Sequence, residues 1–192
     1  MTGYSRSTDE QLLQQAREGN MQAFRHLVER YEGAVAGTVI GMLGRGPDAE
    51  DVGQETFVRF YRALHRFRGD SSLKTYLTRI AMNQSLVVLK KRKTWRQRFV
   101  LRTDAMAEPM VDGAAVIDQQ EHVRLVHWAL DRLSPHHRAV VVLRMLEGYS
   151  TRDAAAVLGI PQGTVMSRLS RAMTSLKDIL TPLIDDKPHG AA

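Results

Sequence analysis

The sequence predicts an all-α protein made of two small helical domains joined by a flexible linker, the C-terminal domain containing a helix-turn-helix. Apolar residues recur at helical spacing through most of the chain, and glycine, proline and capping residues separate the periodic segments. Residues 99–120 lack this periodicity and have the acidic, Pro- and Gly-containing composition of a linker. We therefore place one domain at 8–98 and the other at 121–180.

Composition restricts the partners that the chain can have. The net charge of +6 and the pI near 9.9 favour an anionic partner such as DNA, RNA or an acidic membrane surface. No apolar run approaches the ~20 residues of a membrane span, and the N-terminus lacks the apolar core of a signal peptide. We expect a cytoplasmic protein without membrane insertion. The absence of cysteine excludes disulfides and thiolate metal sites.

The first predicted helix is short and runs from about Asp9 to Glu18. Thr8 and Gln11 have the spacing of a capping box, in which each side chain bonds the other residue's backbone N–H. Gly19 is expected to end the helix.

Two further apolar segments precede the first strong break in the chain. Asn20 is expected to cap a helix whose core stripe is Ala23, Phe24, Leu27, Val28 and Tyr31. A third apolar stretch, Ala34 to Leu43, follows before the Gly-Arg-Gly-Pro break at 44–47. We expect these three segments to pack against the next helix.

The next helix is amphipathic, and its two sides differ in character. Asp48 is expected to cap it. The buried side is Val52, Thr56, Phe60, Ala63, Leu64 and Phe67. The opposite flank is a polar stripe with one apolar residue in it: Asp51, Gln54, Glu55, Val58 and Arg62. Most such stripes are simply solvated, so this one alone does not identify a partner.

A short loop at 68–72 leads into a helix from Leu73 to Lys93, whose predicted buried face is Leu73, Leu77, Ile80, Ala81 and Val88. Beside that face run Tyr76, Arg79, Asn83 and Lys90. An aromatic plane, a side-chain amide and cations are what a single-stranded nucleic-acid site needs. The alternative is an ordinary basic amphipathic helix with a tyrosine at its core margin.

The helix ends in a basic run, in which six of the nine positions from 90 to 98 are Lys or Arg, with Trp95 among them. Such a run is either a solvated helix end or a continuation of the nucleic-acid face that contacts phosphates. The linker that follows is long enough to let two domains sit on separate stretches of DNA.

The C-terminal domain opens with a helix from about Gln120 to Leu133, and its predicted buried side is Val123, Val126, Ala129, Leu130 and Leu133. Ser134 and Pro135 are the N-cap and first-turn proline of the next helix, which Gly148 ends.

The last two helices have helix-turn-helix proportions. Ser150 caps the first of them, Gly159 makes the turn, and the second begins close to Pro161. In the final helix Val165, Leu169, Ala172 and Leu176 form the buried face. The outward face is Gly163, Met166, Ser167, Ser170, Arg171 and Thr174. A small helical bundle in a protein that does not bind DNA would show a similar pattern.

The outward face of that final helix has the side chains needed to read duplex DNA. Arg171 can make a bidentate contact to guanine, and the serines can reach bases or phosphates. Arg168 flanks the face where a backbone phosphate would lie.

Two linked motifs carry a family resemblance. DAEDVGQETFVRFYRAL followed by FRGDSSLKTYLTRIAMN resembles the core-binding and promoter-melting segments of a bacterial RNA polymerase sigma factor of the extracytoplasmic-function (ECF) type. The stretch from LDRLSPHHRAV to GTVMSRLSRAMTSL resembles the sigma domain that reads the upstream promoter element. The resemblance implies a protein that binds core polymerase, directs it to specific promoters and assists DNA melting.

The resemblance also implies roles for individual residues. Asp48, Asp51, Gln54 and Glu55, with Val58 among them in the stripe, match the polymerase-clamp contact. Tyr76 and Asn83 match the face that holds the melted strand, which Arg79 and Lys90 extend. The positions that match the base-reading set are Met166, Ser167, Ser170 and Arg171. Met166 departs from a usually basic position and Tyr76 replaces the more usual tryptophan, so the promoter sequence cannot be borrowed from a relative.

The partners implied are core RNA polymerase at its clamp and flap, promoter DNA as duplex and melted single strand, and an anti-sigma factor. Met82 and Leu86 add apolar surface to the proposed DNA face, which such an inhibitor could cover. No cofactor or metal site and no catalytic site are expected, since the histidines are not clustered and no carboxylate pair or phosphate-binding loop is present.

Two other readings fit part of the sequence. A helix-turn-helix regulator that binds palindromic operators as a dimer explains residues 120–178 but leaves the polar stripe without a role. The second alternative is a helical protein that binds other proteins, in which the basic run is only a solvated surface.

Overall fold

A computed structural model describes residues 7–99 and 119–185 of the chain. Within these ranges the chain is helical, without strands, which confirms the all-α fold class. The predicted linker at 99–120 lies almost entirely outside the described residues. The helices are α1 (Asp9–Arg17), α2 (Met21–Leu43), α3 (Pro47–Ala63), α4 (Leu73–Phe99), α5 (Gln119–Asp131), α6 (Pro135–Val141), α7 (Thr151–Leu158) and α8 (Gln162–Asp185).

The first two helices begin as predicted. The Gln11 N–H donates to Thr8 Oγ1 at 3.3 Å and the Thr8 N–H donates to Gln11 Oε1 at 2.9 Å, which completes the capping box. Asn20 Oδ1 accepts from the backbone N–H groups of Gln22 and Ala23. Local side-chain chemistry therefore fixes where α1 and α2 start.

Helix α2 is continuous over 23 residues, so the prediction of a separate apolar stretch from Ala34 to Leu43 is wrong. The second half of α2 is buried on more than one side, because the C-terminal part of the chain packs on it. Gly41 lies at this contact, where a Cβ atom would come within 2.8 Å of Val142 Cγ1. The glycine allows the two helices to approach closely. Because this part of α2 is buried on several sides, its sequence does not show a single apolar stripe at helical spacing.

Helix α3 is not capped by Asp48, contrary to prediction. The helix begins at Pro47 and its N-cap is Gly46, which has no side chain to bond the backbone. Proline suits the first helical position, and this moves the start one residue earlier. Asp48 instead accepts hydrogen bonds from Arg92 of α4 at 2.8 and 2.5 Å. Its carboxylate thus joins α3 to α4.

The N-terminal core centres on aromatic rings. The predicted buried side of α3 is correct, since Val52, Thr56 and Phe60 are buried and only Ala63 is partly exposed. The Phe60 ring lies 6.2 Å from the Tyr76 ring and 6.5 Å from the Phe67 ring, centroid to centroid. This cluster packs the end of α3 against the start of α4.

Helices α5 and α6 agree with the prediction except in two respects. Ser134 Oγ accepts from the His137 N–H, and Pro135 is the first helical residue of α6. α6 then widens into a π-helical turn over 142–146. In α5, Val123 and Val126 are each 45% exposed, so the buried side of this helix is shorter than predicted.

Helices α7 and α8 form the predicted helix-turn-helix. The Asp153 N–H donates to Ser150 Oγ at 3.0 Å, and Gly159 has a left-handed backbone with φ of +64° at the turn. Val165 and Ala172 of α8 are buried against the rest of the C-terminal part. The outward face of α8 is therefore the predicted one.

The two parts of the chain, which we call the N-terminal half (residues 7–99) and the C-terminal half (119–185), pack on one another and share a continuous core. Helices α2 and α4 contact α6, α7 and the π-helical turn. Arg138 of α6 is only 2% exposed; its guanidinium donates to the Gly41 carbonyl at 2.8 Å and pairs with Asp131. The hydroxyl oxygens of Thr78 and Tyr149 lie 2.7 Å apart in a second hydrogen bond between the halves.

Replacing Arg138 with methionine should lower the free energy of unfolding by about 1.5–3 kcal/mol, because the variant loses a charged hydrogen bond in a buried place. Urea denaturation followed by circular dichroism measures this change. Arg152→Met is the matched control, since Arg152 is an exposed arginine of α7 and its loss should change the stability by less than about 0.5 kcal/mol. Equal losses in the two variants would contradict the importance assigned to Arg138.

Candidate nucleic-acid and partner-binding surfaces

Helix α3 presents the predicted stripe to solvent. Asp51, Gln54 and Val58 are exposed, and Glu55 is half-exposed. Glu55 accepts from Arg59 Nε at 2.7 Å, so one of its oxygens is engaged within the helix. We call Asp51, Gln54, Glu55 and Val58 the acidic stripe. It offers a partner two carboxylates, an amide and one apolar side chain on one helix.

Asp48 lies at the start of the same helix but is less available than the acidic stripe. Its carboxylate is paired with Arg92, which also donates to the Leu43 carbonyl at 3.3 Å. Sequence reasoning assigned Asp48 to a polymerase contact and Arg92 to a basic run. This ion pair makes one carboxylate of the predicted polymerase-binding set, and one cation of the basic run, less available to a partner.

A groove between α2 and α3, which the sequence analysis missed, runs beside the acidic stripe. It has a volume of about 390 Å³, an apolar floor that includes Val35, Val39 and Phe57, and a polar rim with Glu50 and Gln54. Its floor comes from two helices, which explains why a search of α3 alone does not find it. The sequence feature that could have indicated this groove is Gly53, a glycine inside α3 that lines it.

On α4, the structure holds Tyr76 by packing. Its half-buried ring lies 4.9 Å from the Phe67 ring, centroid to centroid. Packing of this kind fixes the ring plane, so ordering it around a base would cost little side-chain entropy. Asn83 and Lys90 are exposed further along α4.

Arg79 of α4 is engaged elsewhere. Its guanidinium donates to the carbonyl of Ala156 in α7 at 2.6 Å. The structure therefore places Tyr76, Asn83 and Lys90 at the surface of the N-terminal half but turns Arg79 toward the C-terminal half.

A second groove, also missed, lies between α1 and the loop that joins α3 to α4. It is open, with a volume of about 1150 Å³, and its lining includes Gln14, His65, Arg68 and Ser71. Arg17 of α1 donates to the carbonyls of Leu64 and Phe67 and so fixes the start of the loop. We call this cleft the loop groove.

The outward face of α8 is exposed as predicted. Met166 is 53% exposed, and Ser167, Ser170 and Arg171 are exposed with it, whereas Arg168 is half-buried. The Met166 sulfur accepts from Thr151 Oγ1 at 3.6 Å, which links α8 to the start of α7. One helix thus presents two hydroxyls, a thioether and a guanidinium in the geometry of a major-groove reader.

Two other kinds of site are not found in the described ranges. No three His, Asp or Glu side chains there are placed to hold a metal ion. None of the helices in the same ranges is long and apolar enough to cross a bilayer.

Comparison with known families matches both halves. The family model for sigma-70 region 2 matches residues 27–95, and the model for sigma-70 region 4 matches residues 124–176. The ECF RNA polymerase sigma-E factor of Haemophilus influenzae is 33% identical over 189 residues, which cover 92% of this chain and 97% of the relative.

Two solved structures are similar over most of the chain. CnrH in complex with the cytosolic domain of CnrY is 32% identical with a TM-score of 0.66, and the match covers 91% of this chain and 97% of that one. The sigma factor RpoE in complex with the anti-sigma factor NepR from Bartonella quintana is 28% identical with a TM-score of 0.63, covering 82% and 96% of the two chains.

Proposed function

This chain belongs to the ECF sigma factors of bacterial RNA polymerase, and we propose that three of its surfaces divide the work of promoter selection. As a member of this family it binds core RNA polymerase, directs it to specific promoters and assists the melting of DNA. The acidic stripe binds the polymerase clamp, the α4 face holds the melted strand, and α8 reads the upstream element. The observation that carries the assignment is the exposed acidic stripe of α3 beside an apolar groove, within the part that matches region 2.

The first step is capture of the polymerase. A stripe with two carboxylates suits a basic partner, and the groove between α2 and α3 offers apolar contact beside it. A basic amphipathic helix meets both requirements, because its apolar side fills a groove while its cations face the rim. Val58, which is exposed within the stripe, adds an apolar contact at the same place. The clamp is the element of polymerase that the family resemblance assigns to this surface.

The second step is capture of the opened strand. Unstacking a base costs a few kcal/mol, and stacking it on an aromatic ring returns about 1–3 kcal/mol. Tyr76 supplies the ring, Asn83 an amide for a base edge, and Lys90 a cation for phosphate. The loop groove lies next to Phe67, on which Tyr76 packs, and offers space for an unstacked base. The near balance of these energies means that opening depends on the polymerase.

The third step is recognition of the upstream element by α8. Arg171 contacts guanine, Ser167 and Ser170 reach bases or phosphates, and Arg168 contacts the backbone. Met166 has neither a charge nor a hydrogen-bond donor, so this position favours a thymine methyl over a phosphate. We assign the contact with the polymerase flap to the same C-terminal domain.

The remaining assignments follow from the same function. We place the DNA-melting domain at 8–98 and the upstream-element domain at 121–180, with residues 99–120 as a tether. The chain acts in the cytoplasm with the polymerase. It carries no catalytic site of its own, because promoter opening is driven by binding and breaks no covalent bond. An anti-sigma factor is a further partner, as NepR is for the Bartonella quintana sigma factor.

Replacing Asp51 and Glu55 together with lysine should abolish co-purification with core polymerase and run-off transcription, because the acidic stripe becomes basic. Glu18→Lys with Asp178→Lys is the control, since it makes the same change of net charge at exposed acids outside the stripe and the two grooves. The wild-type chain should yield promoter-specific RNA only with core enzyme. Tight binding of the chain alone to palindromic operators, without any RNA, would instead support a helix-turn-helix regulator.

Replacing Tyr76 with leucine should lower the open-complex equilibrium by about 1–3 kcal/mol, because leucine keeps apolar volume in the aromatic cluster but offers no plane to a base. Permanganate footprinting reports the opened bases, and gel shift reports the initial complex, which should not change. Tyr76→Phe keeps the ring and should behave like the wild-type chain. An unchanged footprint for the leucine variant would remove Tyr76 from the strand-binding surface.

Replacing Arg171 with alanine should cost about 1–3 kcal/mol at one base position and relax the preference there. Holoenzyme binding to fragments that carry each base at each upstream position measures this. Arg168→Ala is the matched comparison and should weaken all the fragments by a similar factor. A uniform loss from Arg171→Ala would make Arg171 a phosphate contact instead.

A further inference from the structure

One exposed side chain at the start of α8 has no role in the surfaces described so far. Gln162 is the first residue of this helix and lies at the surface. In a helix-turn-helix, the N-terminal residues of the second helix are the ones that reach base edges in the major groove. The outward face predicted from the sequence begins at Gly163 and so leaves Gln162 out.

We propose that Gln162 is a specificity-determining residue of this chain that reads an adenine in the upstream element. The inference rests on the proposed function, because it requires α8 to lie in the major groove of promoter DNA. It adds a base contact to the set that the family resemblance supplies, namely Met166, Ser167, Ser170 and Arg171. The side chain suits adenine because an amide can accept from the N6 amino group and donate to N7 at the same time.

Two hydroxyl groups on the outward face of α8 already use their protons within the helix. Ser167 Oγ donates to the Thr164 carbonyl at 3.2 Å, and Thr174 Oγ1 donates to the Ser170 carbonyl at 3.2 Å. While they are bonded in this way, these hydroxyls can only accept from DNA. No residue in the described part of the chain bonds the Gln162 amide, which keeps its donors and its acceptor for a base.

The backbone around Gln162 is fixed before DNA binds. Gly159 makes the left-handed turn that leads into α8. The Pro161 carbonyl then accepts from the N–H groups of Thr164 and Val165 at 2.9 and 3.1 Å, and these bonds close the first turn of the helix at Gln162. Because the backbone is fixed, a base has only the glutamine side chain to order, which limits the entropy cost of the contact.

The glycine next to Gln162 leaves room for DNA to come close. Gly163 is exposed, and a Cβ added there would meet no atom within 4 Å. No side chain therefore stands between this part of the helix backbone and the major groove, which lets the Gln162 amide reach a base edge. Met166 lies one turn further along and is 53% exposed. An amide suited to adenine and a thioether suited to a thymine methyl thus occupy successive turns of α8.

The test uses holoenzyme and promoter fragments that carry each base at each upstream position. Gln162→Ala should lower the preference for adenine at one position by about tenfold and leave the other positions unchanged. That position should differ from the one that Arg171→Ala relaxes, because about 13 Å of helix separates the two residues. Gln22→Ala is the matched control, since Gln22 is an exposed glutamine near the start of α2 and its loss should change no base preference.

An analogue of adenine tests the contact from the DNA side. 7-Deazaadenine has a C–H group in place of N7 and keeps the Watson–Crick edge, so it removes the acceptor for the Gln162 amide. Placed at the position that Gln162→Ala identifies, it should weaken binding of the wild-type holoenzyme several-fold without weakening the Gln162→Ala holoenzyme further. Gln162→Glu keeps the shape of the side chain but cannot donate to N7. This variant should shift the preference toward cytosine, whose N4 amino group is a donor.

The outcomes separate this inference from the proposed function. If the wild-type holoenzyme prefers particular upstream bases and Gln162→Ala keeps every one of those preferences, Gln162 does not read a base. A uniform loss of affinity across all fragments would make Gln162 a phosphate contact and overturn the inference as well. Equal weakening of the wild-type and Gln162→Ala holoenzymes by 7-deazaadenine would do the same. If the wild-type holoenzyme has no upstream base preference at all, the assignment of α8 to the upstream element fails, and this inference fails with it.

Discussion

The contact between Arg138 and the C-terminal end of α2 is the one on which the arrangement of the two halves depends. The last carbonyls of any α-helix lack partners within the helix, and cations are favoured there. Arg138 supplies a donor to the Gly41 carbonyl from α6, and Arg92 supplies one to the Leu43 carbonyl from α4. Because Arg92 also holds Asp48 of α3, four helices meet at this one helix end. Burial lowers the pKa of Arg138, but the ordinary value is high enough for the guanidinium to stay charged.

This constraint explains the composition of α2. Arg138 can reach the Gly41 carbonyl only if α6 comes very close to α2, and a glycine at position 41 leaves the necessary space against Val142. A glycine in a helix interior costs about 1 kcal/mol relative to alanine, so its presence here is offset by the packing of the C-terminal half. The same approach carries the π-helical turn of 142–146 onto α2.

The features that the sequence predicts well are those that depend on neighbours along the chain. The caps at Thr8, Asn20, Ser134 and Ser150 follow from the bonding range of a short polar side chain, and the exposed face of α8 follows from helical periodicity. The contacts that it cannot predict join distant residues. Arg79 and Ala156 are 77 positions apart, and nothing near Arg79 indicates that a backbone carbonyl of α7 will occupy it. The prediction that Asp48 caps α3 failed for a local reason, since Pro47 starts the helix one residue earlier, but the Arg92 partner of Asp48 lies on another helix and could not be predicted.

The contact between the halves contains polar as well as apolar groups. Several residues at this contact are polar, and Thr78, Arg79 and Arg138 each make a hydrogen bond to the other half. Burial raises the pKa of Tyr149, so its hydroxyl stays neutral and bonds Thr78. Each of these hydrogen bonds contributes about 0.5–1.5 kcal/mol net, because water would replace it if the halves separated. The interface therefore combines a continuous apolar core with buried hydrogen bonds that fix how the two halves meet.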